Sequence, residues 1–236
     1  MKLPAAIGLL FVVAFLGSCC CPEKAGGGYT NPKGTAVGRT SDSEPRDPGG
    51  RTIILGRQNP LPVIPRDQEG LYSCWATSAE MIMEFVGAIR VHQCQQASRP
   101  FTFYNCCDSA DLLTRDPDCD SPDLPEFGRW GYAYHRQFPN SLSWPLVMAE
   151  IDGGRPFAFS RRRAGINIQI SHMMVAIGYN EGGGQQVLFC LNPRAFGTTD
   201  QMLVPFGDYA GNPSNTSTPN PSGYIHEYDY FGIEPQ

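Results

Sequence analysis

The chain has 236 residues, of which 41% are hydrophobic and 17% are charged. This length and composition predict one globular domain with a substantial core, and 26 glycines with 21 prolines predict many loops. The formal net charge is −5, and the only basic cluster is the run RRR at 161–163, which is typical of a solvated loop. Because nucleic-acid-binding proteins carry a dense basic face, we do not expect nucleic acid as a partner.

The N-terminus, MKLPAAIGLLFVVAFLGSC, has a lysine, an apolar run over 5–16 and then small residues. This pattern predicts an export signal that is too short to be a good membrane span. Its end, LGSC, resembles the bacterial lipoprotein box. The resemblance implies a signal peptide over 1–18, cleavage before Cys19 and lipid on that cysteine, which would anchor the chain to a membrane. An ordinary signal peptide cleaved nearby is the alternative.

Export places the chain in the periplasm, at the outer membrane or on the cell surface, where disulfides persist. Cys20, rather than an aspartate, follows Cys19, and by analogy with known lipoproteins this argues against retention in an inner membrane. Residues 19–60 are predicted to be the lipidated cysteine and a flexible tether, because they are rich in Gly, Pro, Ser and charge. The segment RTIIL at 51–55 predicts a short strand, and the folded domain is expected over 61–236.

The segment CWATSAEMIMEFVGAI at 74–89 has helical apolar spacing, and Gly87 is expected to weaken its end. A Cys-rich, loop-like insert follows at 92–128. SWPLVMAEIDGGRP at 143–156 predicts a second helix that Gly153 and Gly154 end, and FAFS then predicts a strand.

The segments SHMMVAIGYN and QQVLFCLN predict two strands of a hairpin, because EGGG separates them. A polar loop and a final strand, YIHEYDYF, are expected within 206–236.

Cys74 lies at or near the start of the first predicted helix. Unpaired N–H groups and the helix dipole there favour a thiolate. We therefore expect a thiol pKa below its ordinary value of about 8.5 when a cation is also near. A disulfide half or a buried thiol would also suit this position.

His172 begins a predicted strand and could be the base that a cysteine nucleophile needs. Opposed residues of an antiparallel hairpin have a constant index sum, and a hairpin centred on Gly182 would place His172 opposite Asn192. The Asn192 carbonyl could then hold the imidazole in one tautomer. A histidine satisfied by ordinary hydrogen bonds and a simple Asn-Pro turn are the alternatives.

Gln68 precedes Cys74 by six residues, and its amide N–H could join the Cys74 backbone N–H as an oxyanion donor. Taken in order, Gln68, Cys74 with Trp75, His172 before MMVAIGY, and Asn192 resemble the papain-like cysteine peptidases. The resemblance covers about residues 60–205.

The papain-like resemblance implies an α+β fold in which the N-terminal catalytic helix packs against a small antiparallel sheet. It implies peptide-bond hydrolysis by a Cys74–His172–Asn192 triad with Gln68 as oxyanion donor, on a protein or peptide substrate. We expect a monomer that needs no cofactor. Bacterial relatives often have Asp-Pro where this chain has Asn192-Pro193, but the orienting role is retained. The segment AEIDGGRPFAF before His172 resembles bacterial members near the bacteriocin-leader-processing branch. The sequence shows no ATP-binding or membrane-spanning segment of a leader-processing exporter, which favours a free-standing secreted enzyme.

The insert contains four candidate disulfide cysteines: Cys94, Cys106, Cys107 and Cys119. Two crossed pairings remain open, 94–106 with 107–119 and 94–107 with 106–119. A zinc site that includes His92 is a rival interpretation, although the spacing does not match the usual paired motifs. Cys190, in the apolar strand VLFCL, is expected to be buried and free.

Three rival functions remain open at this point. The same triad could perform acyl transfer as a transglutaminase or deamidase, the fold could serve a non-catalytic binding lipoprotein, or the chain could be a stapled structural surface protein. His226 is a rival base, interpreted as a surface or edge-strand histidine. Trp75 is interpreted as a packing residue under the first helix.

Overall fold

The computed structural model describes residues 60–98, 105–108, 116–163, 171–194, 197–211 and 223–236. The predicted signal peptide, lipidated Cys19, the tether and the strand at 51–55 lie outside the described residues. Among the helices of the described segments, none is long and apolar enough to cross a membrane.

The described elements form a single six-stranded antiparallel sheet with a few helices. In chain order they are α1 (Cys74–Gly87), α2 (Gln93–Ala97), a 3-10 helix (Phe127–Trp130), β1 (Tyr132–Gln137), α3 (Trp144–Asp152), β2 (Phe157–Arg163), β3 (His172–Gly182), β4 (Gln185–Asn192), β5 (Asp200–Pro205), α4 (Phe206–Ala210) and β6 (Tyr224–Pro235). The strand order is β1-β6-β2-β3-β4-β5. This mixed architecture is compatible with the predicted α+β class.

Helix α1 is the most buried helix of the described chain. Its first ten residues, Cys74 to Met83, are all buried, so this helix has no solvated face over its first three turns. Ile82 and Met83 pack with Val175 and Ile177 of β3 in one core cluster. The predicted helix and its end at Gly87 are confirmed.

The two faces of the sheet support separate cores. Alternate residues of β3 project to opposite faces, so Met173 and Val175 join the α1 core. Met174 and Ala176 pack with α3 and α4 instead. The strand β3 is therefore buried on both sides, which explains its continuous apolar sequence.

The β3–β4 hairpin forms as predicted, but its register differs from the prediction. Its turn lies at Gly183 and Gly184, both with positive φ, and a bulge interrupts the pairing between Ala176 and Gly178. Val175 pairs with Leu191, and continuing that register places Asn192 opposite Met174 rather than His172. The predicted direct opposition of His172 and Asn192 is wrong, because the turn lies further along the chain than Gly182, and the extra β3 residue at the bulge makes up only part of that shift.

Several other expectations are confirmed or corrected. The helix α3, with Gly153 as its C-cap, and the strands β2 and β6 were predicted. The elements β1, β5 and α4 were not predicted, and the insert expected to be loop-like contains α2 and the 3-10 helix. The run RRR at 161–163 is not a solvated loop, because it belongs to β2 and its first residue, Arg161, is only 8% exposed. His226 is not at a surface or edge, because β6 pairs with both β1 and β2 and buries the ring.

Gly87 provides a test of the contact between α1 and β1. A Cβ at Gly87 would lie 2.1 Å from Tyr132 Oη, and that hydroxyl is buried and donates to Met83 O at 3.1 Å. We expect Gly87→Ala to lower the free energy of unfolding by about 1–3 kcal/mol because of overpacking, although alanine has the better helix propensity. Chemical denaturation measures the change.

Gly128→Ala is the matched control, because a Cβ there would lie 3.6 Å from its nearest atom, in Tyr134. An equal or smaller loss of stability for Gly87→Ala than for this control would contradict the close approach of Tyr132.

Candidate active site

The cysteines of the insert form two disulfides, Cys94–Cys107 and Cys106–Cys119. This is the second of the two pairings that the sequence left open, and disulfides are consistent with an exported protein. Their sulfurs are occupied, and no group of three or more His, Cys, Asp or Glu side chains in the described segments could hold a metal ion. Zinc binding by the insert cysteines therefore has no geometric support.

Cys74 is the first residue of α1, and its side chain is turned toward the start of β3. Its Sγ accepts a hydrogen bond from Met173 N at 3.5 Å and lies 4.0 Å from Ser171 O. Met173 and Ser171 are the two neighbours of His172 in the chain. The buried contact between α1 and β3 therefore places the sulfur against the backbone that carries the predicted base. Cys74 and Cys190 are the free cysteines of the described residues, and both are buried.

His172 and Asn192 are in direct contact. His172 Nε2 lies 2.6 Å from Asn192 Oδ1, and the contact is diagonal across β3 and β4, within reach of an imidazole. Asn192 Oδ1 only accepts hydrogen bonds, so Nε2 must carry the proton in the neutral ring. Nδ1 is then unprotonated and can act as a base.

Burial affects the two reactive groups in opposite directions. It raises the pKa of the Cys74 thiol, although the backbone N–H groups of Met173, Trp75 and Cys74 partly oppose the rise. It lowers the pKa of His172, against the opposing hydrogen bond from Asn192. The expectation of a lowered Cys74 pKa was therefore wrong, because desolvation of the thiolate outweighs the helix N-terminus. Burial therefore favours the neutral form of each group.

Gln68 is buried, and its amide group bonds to the loop that precedes Cys74. Its Nε2 donates to Gly70 O at 2.7 Å and to Leu71 O at 2.9 Å, which uses both amide hydrogens. Its Oε1 is buried without a hydrogen-bond partner in the described part of the chain. The predicted oxyanion role of Gln68 thus requires one of these two bonds to break and stays a prediction.

The rival base His226 lies in a different environment. Its Nδ1 lies 3.0 Å from Tyr209 O, and its Nε2 lies 3.0 Å from Asp229 Oδ2. Tyr209 also donates to Asp229 Oδ1 at 2.9 Å. Nδ1 is the hydrogen-bonded nitrogen, whereas Nε2 approaches Asp229 without hydrogen-bond geometry. The ring is held in this buried cluster and is not positioned to deprotonate Cys74.

Two side chains that the sequence reading did not single out hold the loop before Cys74. The carboxylate of Asp120 accepts hydrogen bonds from the N–H groups of Leu71 and Tyr72. The amide oxygen of Gln93 accepts from Ser73 Oγ. The sequence marks these two residues only by their positions: Asp120 directly follows one disulfide cysteine, and Gln93 directly precedes another. The predicted packing role of Trp75 agrees with its 5% exposure, and its Nε1 donates to Ser121 O at 3.1 Å.

Comparison with known proteins shows that no protein-family model and no curated protein matches this chain. The chemistry of the site is therefore inferred from its geometry.

The protonation state of Cys74 can be measured through the ultraviolet absorbance of its thiolate. Because burial raises the pKa of Cys74, we expect its thiolate signal only above the ordinary thiol pKa of about 8.5. The measurement is the pH dependence of the difference spectrum between the wild-type protein and Cys74→Ala, which cancels the other cysteines. A thiolate signal that persists to pH values well below neutral would contradict the neutral pair.

Proposed function

We propose that the chain is a thiol-dependent hydrolase of peptide bonds, with a papain-like fold and a Cys74–His172–Asn192 triad. The observation that carries this proposal is the His172 Nε2–Asn192 Oδ1 contact of 2.6 Å, on a residue whose two chain neighbours contact the Cys74 sulfur. This is the order of nucleophile, base and orienting residue that acyl transfer requires.

The first half of the reaction forms an acyl-enzyme. Because the thiol and the imidazole start neutral, His172 acts as a general base and takes the Cys74 proton as Sγ attacks the peptide carbonyl carbon. The imidazolium then gives that proton to the leaving amine, and the C–N bond breaks. Asn192 accepts the Nε2 hydrogen bond throughout and keeps Nδ1 directed to the reacting atoms.

The second half releases the acyl group to water. His172 Nδ1 removes a proton from the water as its oxygen attacks the thioester, and the thiol leaves with that proton. Asn192 carries no charge, so it does not hold His172 in the imidazolium form. Burial lowers the pKa of His172 more than the hydrogen bond from Asn192 raises it. The imidazole therefore returns to its neutral form after each step.

The fold around these residues supports the papain-like assignment. A buried helix begins at the nucleophile, an antiparallel strand begins at His172, and the neighbouring strand ends at Asn192. The order Gln68, Cys74, His172, Asn192 is also that of the papain-like peptidases. The proposed enzyme would be exported, held at a membrane by lipid on Cys19, and would act on protein or peptide substrates outside the cytoplasm.

The testing experiment combines active-site labelling with product analysis on the full chain. We expect an epoxysuccinyl inhibitor to modify Cys74, and we expect fluorescent casein to be hydrolysed by the wild type. Cys74→Ala and His172→Ala should each lower casein hydrolysis by roughly 10³-fold or more, because residues of a triad act as a unit. Mass spectrometry of the labelled protein and of the products provides both measurements.

Cys190→Ala is the matched control, because Cys190 is also buried and free but lies in the opposite core. It should retain labelling at Cys74 and hydrolysis. Products joined to an added amine, or glutamine converted to glutamate without chain cleavage, would instead identify a transglutaminase or deamidase. Labelling that occurs only after unfolding would overturn the enzyme proposal.

Asn192→Asp tests how the orienting residue affects His172. A carboxylate in contact with the ring favours the imidazolium, so the pKa of His172 should rise. A smaller fraction of the base is then neutral at a given pH, and the acid limb of inactivation by the epoxide should move to higher pH. The pH profile of the inactivation rate measures this shift, with Asn192→Ala as the comparison in which the acceptor is lost. An acid limb that moves to lower pH in Asn192→Asp would contradict the assigned contact.

A further inference from the structure

The loop of residues 70–73 delivers Cys74 to the site, and an acidic side chain from the insert holds it. Asp120 Oδ2 accepts from Leu71 N at 2.8 Å, and Asp120 Oδ1 accepts from Tyr72 N at 2.7 Å. Both carboxylate oxygens therefore engage successive backbone N–H groups, and such charge-assisted bonds are stronger than neutral ones. Asp120 is 49 residues from Leu71 in the chain, so tertiary structure creates this contact.

A second side chain holds the same loop from the other side. Gln93 Oε1 accepts from Glu69 N at 2.9 Å, from Ser73 Oγ at 3.2 Å and from Thr77 Oγ1 at 2.9 Å. Ser73 Oγ in turn accepts from Gly70 N at 2.8 Å. Residues on both sides of the loop, and the first turn of α1, thus share one amide oxygen.

The two disulfides join these holding groups covalently. Gln93 immediately precedes Cys94, and Asp120 immediately follows Cys119. Cys94 bonds Cys107, and Cys119 bonds the adjacent Cys106. The short segment of Cys106 and Cys107 therefore connects the Gln93 side of the loop to the Asp120 side.

The charge of Asp120 works against activation of the thiol. The negative charge raises the pKa of Cys74, as burial does. A benefit of Asp120 to the reaction must therefore come from geometry rather than from the formation of thiolate. A variant that removes the charge of Asp120 can therefore separate its electrostatic effect on the Cys74 pKa from its geometric effect on the loop.

We propose that Asp120 is a positioning residue for the nucleophile, and that the disulfide-bonded insert serves to hold its carboxylate against the 70–73 loop. The catalytic part of this inference rests on the proposed function of Cys74. The fixation of the loop itself does not depend on that function.

The principal variant is Asp120→Asn in the full chain, assayed with fluorescent casein and with iodoacetamide. Asparagine keeps the shape but offers only one acceptor oxygen, and its NH₂ would face a backbone N–H. We expect kcat to fall by about tenfold or more with little change in KM, since orientation of the attacking group governs the chemical step. Alkylation of Cys74 at a fixed pH should instead become faster, because a negative charge near the sulfur has been removed.

Asp118→Asn is the matched control, because Asp118 is an exposed aspartate two residues away in the same insert. It should retain the wild-type kcat, KM and alkylation rate. Asp120→Glu should recover part of the lost kcat, since it restores two acceptor oxygens. Replacement of the Cys106–Cys119 disulfide by two serines should also lower kcat, because it loosens the hold on the Asp120 carboxylate.

Amide hydrogen exchange tests the contact without any need for activity. In the wild type and in Asp118→Asn, the amides of Leu71 and Tyr72 should be protected, and Asp120→Asn should raise their exchange rates by about tenfold or more. If these rates and kcat are unchanged in Asp120→Asn, the proposal is overturned. A fall of kcat and alkylation together, in proportion to a loss of global stability, would reduce Asp120 to a structural role and also overturn it.

The two proposals can fail separately. Absence of casein hydrolysis and of inhibitor labelling in the wild type would reject the proposed enzyme, whereas protection of Leu71 and Tyr72 that depends on Asp120 would still establish the fixed loop. Activity that tolerates Asp120→Asn would reject the positioning role and leave the enzyme intact.

Discussion

The packing of α1 against β3 is the contact on which the rest of the site depends. It buries one side of the helix and brings the Cys74 sulfur to the N–H of Met173, while β2, β6 and α2 cover other parts of the helix. The burial has a polar cost, because the helix also carries Thr77 and Glu80 at 0% exposure. That cost is offset by partners from the following segment, since Glu80 Oε1 accepts from Arg90 Nε at 2.6 Å and Thr77 Oγ1 donates to Gln93.

This burial also sets the chemical state of the reactive pair. Desolvation disfavours whichever form is charged, so it raises the pKa of the acid Cys74 and lowers the pKa of the base His172. One physical cause therefore favours the neutral form of both groups. In the proposed reaction, proton transfer would then accompany the attack, and the contact with Asn192 selects the tautomer of His172.

Local sequence patterns predicted the elements whose signals are themselves local. The 3.6-residue apolar spacing of α1 and the Gly-rich turn between β3 and β4 needed no tertiary information. The strand β1, YAYHRQ, was missed because its central four residues are exposed and give no apolar alternation. The register of the hairpin was missed because three consecutive glycines allow more than one turn position, and the chain turns at Gly183 and Gly184 rather than at Gly182. The interior position of β6 depends on pairings with strands far away in the chain.

The sequence by itself determined which residue types could do the chemistry and in what order they occur, together with the helix that begins at Cys74. It also determined that four cysteines lie close together in one insert, but not how they pair. Only the tertiary structure decided the Cys94–Cys107 and Cys106–Cys119 bonds and the contact of Asp120 with the 70–73 loop. The reason is that pairing, desolvation and hydrogen-bond competition depend on groups distant in the chain, and these reversed the pKa expected for Cys74 from its position alone.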